Sequence, residues 1–121
     1  MTIKSLQTLI EEASNQIKTI TPEQAYDKII NNECNLIDIR DLNELEKEGK
    51  IEKSLHVSRG LLEFAIHPDS QFVKINNLDL KKEIVLFCAA GGRSALAAKT
   101  LKDIGYENVS HIEGGFSLMK L

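Results

Sequence analysis

The residues best equipped for chemistry in this chain are Cys88-Ala89-Ala90-Gly91-Gly92-Arg93-Ser94. A cysteine is a nucleophile only as thiolate, so the question is what would hold the anion. The apolar run EIVLF at 83–87 reads as a buried strand, and the alanine-rich segment after Arg93 reads as a helix. The loop therefore joins a strand end to a helix start. In such a turn successive backbone N–H groups can converge into an anion-binding nest, and the helix dipole adds partial positive charge. A helix N-terminus is one of the environments that lowers a cysteine pKa. Gly91 and Gly92 give the loop conformations that a side chain would forbid. Cys88 is the candidate catalytic residue, and Ala89, Ala90, Gly91, Gly92, Arg93 and Ser94 are the candidate active-site loop. The plain alternative is a core cysteine at a strand end. The combination of apolar strand, Cys, short loop, Arg-Ser and amphipathic helix favours the chemical reading.

Three further residues are placed to support that site. In an open α/β sheet ligands bind beyond the carboxyl ends of the strands, where Arg40 and Arg59 would fall beside Cys88. Asp38 and Arg40 share one face of a strand. A buried Asp needs a partner, so Asp38 is read as structural support for the loop. Arg93 can bond loop carbonyls or a substrate. Arg59 is either a surface arginine or a residue of the site mouth, and Glu63 and Phe64 are candidate entrance residues. Cys34 reads as a bystander. His56, His67 and His111 are scattered and read as structural or solvated. No Cys/His cluster has zinc spacing, so no metal is expected.

The elements that must position these residues alternate. KTI at 18–20 is a weak strand. Thr21-Pro22-Glu23-Gln24 forms a capping box for a helix whose inner face carries Ala25, Tyr26, Ile29 and Ile30. NLIDIR at 35–40 is a strand covered on both faces. Asp41, with Glu44 three residues on, caps a helix closed by Gly49. SLHVS at 54–58 is a third strand, and 60–68 makes one or two helical turns ended by Pro68. The segment 69–82 is polar, with room for one short helix. Residues 94–104 form a helix with Ala97, Leu101 and Ile104 on one face, capped by Gly105. VSHIE at 109–113 is the last strand, and GGFSLMKL ends in a short helix. Strands separated by helices imply a parallel sheet of about five strands with helices on both faces, an α/β fold. Residues 1–16 read as an N-terminal helical extension that caps the domain at 17–121.

Composition narrows the function classes. With 15 Lys+Arg against 18 Asp+Glu, the net charge of −3 offers no basic surface for nucleic acid. The longest apolar run, IVLFCAA, is seven residues, too short to cross a bilayer. The first residues lack the apolar core and small-residue cleavage site of a signal peptide. A cytoplasmic protein with free thiols is expected.

The loop resembles the C-x-x-G-x-R-S active-site loop of the single-domain rhodanese-like sulfurtransferases. Leu36-Ile37-Asp38-Ile39-Arg40 resembles their L-I-D-x-R strand, Gly49-Lys50-Ile51 stands where G-H-I is usual, and Glu113-Gly114-Gly115 matches E-G-G. The resemblance spans residues 18–121. It implies that the Cys88 thiolate takes a sulfane sulfur from a donor as a persulfide and yields it to a nucleophilic acceptor. Donor and acceptor would be small molecules or proteins. No metal or organic cofactor is required, and the expected assembly is a monomer or a homodimer. Ala89 and Ala90 replace side chains that are often polar or cationic, which predicts that thiosulfate is a poorer donor than polysulfide or a persulfide. Lys50 for His is expected to be neutral, and Met119 replaces an aromatic in the terminal helix. A rhodanese-like module without turnover is the first alternative. A cysteine phosphatase or arsenate reductase is the second. Phosphatases with a cysteine nucleophile use a longer Cys-to-Arg loop, and here Phe87, not His, precedes Cys88.

Overall fold

In the computed structural model, which describes residues 2–119, five strands form one parallel sheet in the order β1-β5-β4-β2-β3. The strands are β1 (Lys18–Ile20), β2 (Cys34–Asp38), β3 (Leu55–His56), β4 (Glu83–Phe87) and β5 (Val109–Ile112). Helices α1 (Leu6–Ser14), α2 (Pro22–Ile30), α3 (Leu42–Glu48), α4 (Leu62–Ala65), α5 (Gln71–Ile75), α6 (Gly92–Ile104) and α7 (Gly115–Met119) cover its two faces. The end of the expected terminal helix, residues 120–121, lies outside the described residues.

The central strand shows why both faces must be covered. All five residues of β4 are buried. Ile84 and Leu86 pack with Ala97, Ala98 and Leu101 of α6, while Val85 and Phe87 pack with Ala25, Phe116 and Met119 on the other side. Alternation along a strand sends neighbours to opposite faces, so a strand between two helical layers must be apolar throughout. The alanines of α6 are what let that helix lie close to the sheet.

Local chemistry sets the boundaries. The Thr21–Gln24 capping box is formed, with Thr21 Oγ1 accepting from Gln24 N and Gln24 Oε1 accepting from Thr21 N. The second strand ends earlier than the expected 35–40. Ile39 still donates to Phe87 O, but the Arg40 N–H is taken by the Asp38 carboxylate, so the ladder peels away there. The third strand shortens from the expected 54–58 to Leu55–His56. In 69–82 the short helix is present, its first turn capped by Ser70.

Two apolar assignments need correction. Ile30 is 72% exposed and Ile104 is 51% exposed, whereas Ala25, Ala97 and Leu101 are buried. Both stand at the last residue of their helices, where the chain turns away from the sheet. The N-terminal α1 lies along α6. Its Ala13 is buried, and the Ile10 Cδ1 atom sits 3.2 Å from where a Cβ on Gly92 would be.

Candidate active site

The fold places Cys88 one residue past β4, at the N-terminus of α6, with only 1% of its surface exposed. Its Sγ accepts from the N–H of Gly91 at 3.2 Å and of Ser94 at 3.4 Å. Ser94 Oγ lies 3.6 Å away. A helix begins with N–H groups that have no partner of their own. Gly91, the residue before α6, has no side chain to cap them, and the sulfur takes that place. This explains why the helix starts at Gly92 rather than at the expected 94. Gly91 itself adopts φ +108°, which glycine alone tolerates well.

The donors are aimed by a second contact. Phe116 N donates to Cys88 O at 2.8 Å, and Ser117 donates to Ala89 O through its N at 3.0 Å and its Oγ at 2.8 Å. Across a trans peptide, C=O and N–H point in opposite directions. Drawing the Ala89 carbonyl toward α7 therefore turns the Ala90 N–H toward the sulfur. The close approach depends on Gly115, where an added Cβ would stand 2.3 Å from Cys88 O. The Glu113-Gly114-Gly115 segment thus acts on the loop through backbone proximity.

Burial pushes the Cys88 thiol up. Hydrogen bonds from the Ser94 hydroxyl and from the N–H groups of Ser94, Gly91 and Ala90 more than offset it, leaving the thiol below its usual value of 9.0. Cys34 shows the contrast. It is half-buried beside Glu83, and desolvation pushes it up to about 11. It stands at the start of β2, the sheet end opposite Cys88, so a resolving role for Cys34 finds no geometric support.

The arginines are placed differently from one another. Arg93 binds the Glu44 carboxylate with both terminal nitrogens, at 2.7 and 3.0 Å, and these bonds hold the Glu44 carboxyl below its ordinary value. Arg40 is fully buried and bonds both Asp38 oxygens and Gly49 O, and its guanidinium carbon lies 3.9 Å from the centre of the Phe116 ring. Asp38 and Arg40 thus buttress the residue whose N–H holds the Cys88 carbonyl. Arg59 reaches Glu63 at 2.9 Å and Thr100 at 3.3 Å. Thr100 is eight residues into α6, about 12 Å along the helix from its start, so in this conformation the Arg59 head group is away from the loop. Phe64 is 79% exposed. Ala89 is half-buried and Ala90 exposed, leaving the loop rim without a charged side chain of its own at those positions.

One residue near the sulfur escaped the sequence reading. His111 on β5 is buried and places Nδ1 2.9 Å from Ser94 Oγ. The available signal was topological: the strand beside β4 also ends at the site, and residue 111 lies on its α6 face. Among the described residues no group of three or more His, Cys, Asp or Glu side chains is arranged to hold a metal ion, and no helix is long and apolar enough to cross a membrane.

Comparison with known proteins agrees with this architecture. The family described as rhodanese-like domain matches residues 21–120. A Bacillus subtilis protein provisionally named sulfurtransferase YtwF is 34% identical over 101 residues, covering 83% of this chain and 87% of that protein. Other curated relatives are longer, and the chain spans 51% of one and 59% of another. Among solved structures, a Rhodopseudomonas palustris protein of unknown function, described as a possible tyrosine phosphatase, is similar with a TM-score of 0.85 and 40% identity over 99% of this chain and 92% of that one. The polysulfide-sulfur transferase homodimer of Wolinella succinogenes is similar with a TM-score of 0.71 and 31% identity over 93% of this chain and 79% of that one.

Proposed function

The chain belongs to the rhodanese-like domain family, and we propose that it is a sulfurtransferase working through a persulfide on Cys88. The observation that carries this reading is the Cys88 sulfur accepting from the N–H groups of Gly91 and Ser94 inside a loop of four intervening residues. Both donors close on the Cys88 sulfur at 3.2 and 3.4 Å. The thiolate attacks the terminal sulfur of a polysulfide or persulfide, the S–S bond of the donor breaks, and the shortened donor leaves with the electron pair. Cys88 is then Cys–S–S⁻. An acceptor nucleophile attacks the outer sulfur and returns Cys88 as thiolate, so no net redox change is required of the protein. The loop donors are preorganised around the Cys88 sulfur and hold its thiolate, the form that attacks the donor and is returned by the acceptor, without rearrangement. Arg40 and Asp38 support the loop through Phe116, and the rim at Ala89 and Ala90 supplies no cation for a dianion such as thiosulfate, which favours singly charged persulfide donors over it.

The phosphatase reading has one neighbour's description behind it. It requires an arginine free to clamp a phosphoryl group, and Arg93 is engaged by Glu44 instead. Intact-protein mass spectrometry separates the readings. Wild type should gain one sulfur from polysulfide and lose it to cyanide as thiocyanate, and Cys88→Ser should do neither. No uptake, or uptake without release to any nucleophile, returns the protein to a binding module. Turnover of an aryl phosphate would restore the phosphatase reading.

A further inference from the structure

The donor ring accounts for the loop but leaves a buried histidine unexplained. His111 is 4% exposed and sits directly opposite Thr19 in the β1–β5 pairing. Its Nε2 lies 3.1 Å from Thr19 Oγ1 and its Nδ1 2.9 Å from Ser94 Oγ, and Ser94 Oγ lies 3.6 Å from Cys88 Sγ. Four side chains thus form one hydrogen-bonded series from the edge strand, where Thr19 is exposed, to the buried sulfur.

The series has two consistent directions. A serine hydroxyl has one proton to give, and Gly91 O at 3.2 Å, His111 Nδ1 and Cys88 Sγ all compete for it. With the imidazole proton on Nε2, His111 donates to Thr19, and Nδ1 takes the Ser94 proton away from the sulfur. With the proton on Nδ1, Thr19 donates to Nε2 and His111 donates to Ser94 Oγ. The Ser94 proton is then left to the sulfur or to Gly91 O, and a thiolate is the stronger acceptor of the two. The second direction suits a thiolate, which can only accept; the first suits a thiol, which can donate to Ser94.

We propose that His111 is a positioning residue of this site, held by Thr19 and acting through Ser94 to point the serine hydroxyl at the Cys88 sulfur. The proposal rests on the reading of Cys88 as the nucleophile. Burial lowers the His111 pKa, which keeps the ring neutral and therefore directional, with one donor and one acceptor nitrogen. The charged groups on the neighbouring elements have other partners. Arg93 of α6 is turned to Glu44, and Glu83 of β4 is held by Lys28 of α2 at 2.8 Å with Lys18 of β1 at 3.8 Å. Cys88 is the titratable group at the inner end of the series.

The test is the pH profile of Cys88 alkylation by iodoacetamide in a Cys34→Ser background, which needs no sulfur donor. It therefore stands or falls separately from the persulfide experiment. His111→Leu should slow alkylation near pH 6 by roughly tenfold, the effect of losing one hydrogen bond to a charged sulfur. His111→Asn, which can present an amide N–H near the Nδ1 position, should recover most of the rate. In a Ser94→Ala background His111→Leu should change nothing further, because the path runs through the hydroxyl. A folded His111→Leu protein with the wild-type profile overturns the proposal, and so does an equal slowing in the Ser94→Ala background. If His111→Leu does not fold, Thr19→Val on the exposed edge strand decides. A slower profile supports the proposal, and an unchanged one overturns it.

Discussion

Gly115→Ala is the sharpest probe of how the C-terminal helix aims the loop. The new Cβ would stand 2.3 Å from Cys88 O and 3.1 Å from the carbonyl carbon and oxygen of Ala89. A tolerable carbon–oxygen approach is about 3.3 Å, so α7 and the loop must part by roughly 1 Å. That separation stretches the Phe116 N to Cys88 O and Ser117 N to Ala89 O bonds, now 2.8 and 3.0 Å, out of hydrogen-bond range. Two such bonds contribute about 1–3 kcal/mol together. Holding alanine at the Gly115 φ of +54° costs about 1–2 kcal/mol more. The sum, roughly 2–5 kcal/mol, corresponds to a Tm lower by about 7–20 °C for a chain of this length. The Ala90 N–H would also lose its aim, so alkylation of Cys88 below its titration range should slow by roughly tenfold. Circular dichroism melts and iodoacetamide kinetics read the two effects. Gly114→Ala is the control. Its Cβ meets Leu118 Cδ1 at 2.2 Å and Cγ at 2.4 Å, which can rotate away because Leu118 is 56% exposed, and Leu118 Cβ at 3.2 Å, which must give by a few tenths of an ångström. It should cost stability through its φ of +71° while leaving alkylation unchanged. A Gly115→Ala protein with wild-type alkylation, or a Gly114→Ala protein more impaired than it, would refute this account of the E-G-G segment.

Other outcomes follow from the same geometry. Asp38→Ala leaves Arg40 charged and buried without its carboxylate, and should lower the unfolding free energy by about 3–5 kcal/mol in urea titrations; an unmoved midpoint would contradict the buttress role. Gly92→Ala should keep its N–H and displace only the terminal methyl of Ile10, so Tm should hold or rise by up to a few degrees, with alkylation unaltered. Burial depresses the folded-state pKa of His111 below its ordinary 6.5, so the unfolded chain binds the extra proton. That contribution to stability is complete above 6.5 and is lost as pH falls below it, and His111→Asn should flatten this part of the urea-midpoint profile. A slope unchanged by the substitution would show that His111 is not its source.

The elements legible in the sequence are those whose signals are local. The capping box at Thr21 and Gln24 needs only four consecutive residues, and the all-apolar EIVLF marks a strand between two layers whatever those layers are. The ends of elements depend on partners elsewhere in the chain. Nothing in NLIDIR says that Asp38 will claim the Arg40 N–H and end the ladder there. Ile30 and Ile104 fit their helical stripes by periodicity, yet each falls at the last turn, where the helix leaves the sheet behind. Arg59 follows a strand end, as a site residue would, but its reach is fixed by Glu63 and Thr100 on two helices.

The site divides along the same line. The run from Cys88 to Ser94 stands out as a candidate because it is contiguous, and the sulfur's N–H donors Gly91 and Ser94 come from within it. His111 could not, because its meaning lies in the strand order. A histidine on the last strand faces a cysteine loop only when β5 lies beside β4, and Thr19 reaches it only when β1 pairs with β5 in register. Neither pairing leaves a mark in the residues themselves. The contiguous loop supplies N–H donors whose direction the backbone fixes, whereas the Ser94 hydroxyl rotates freely until something distant decides where its proton goes. The part of the site hardest to see in sequence is therefore also the part a single distant substitution can retune, leaving every residue of the loop in place.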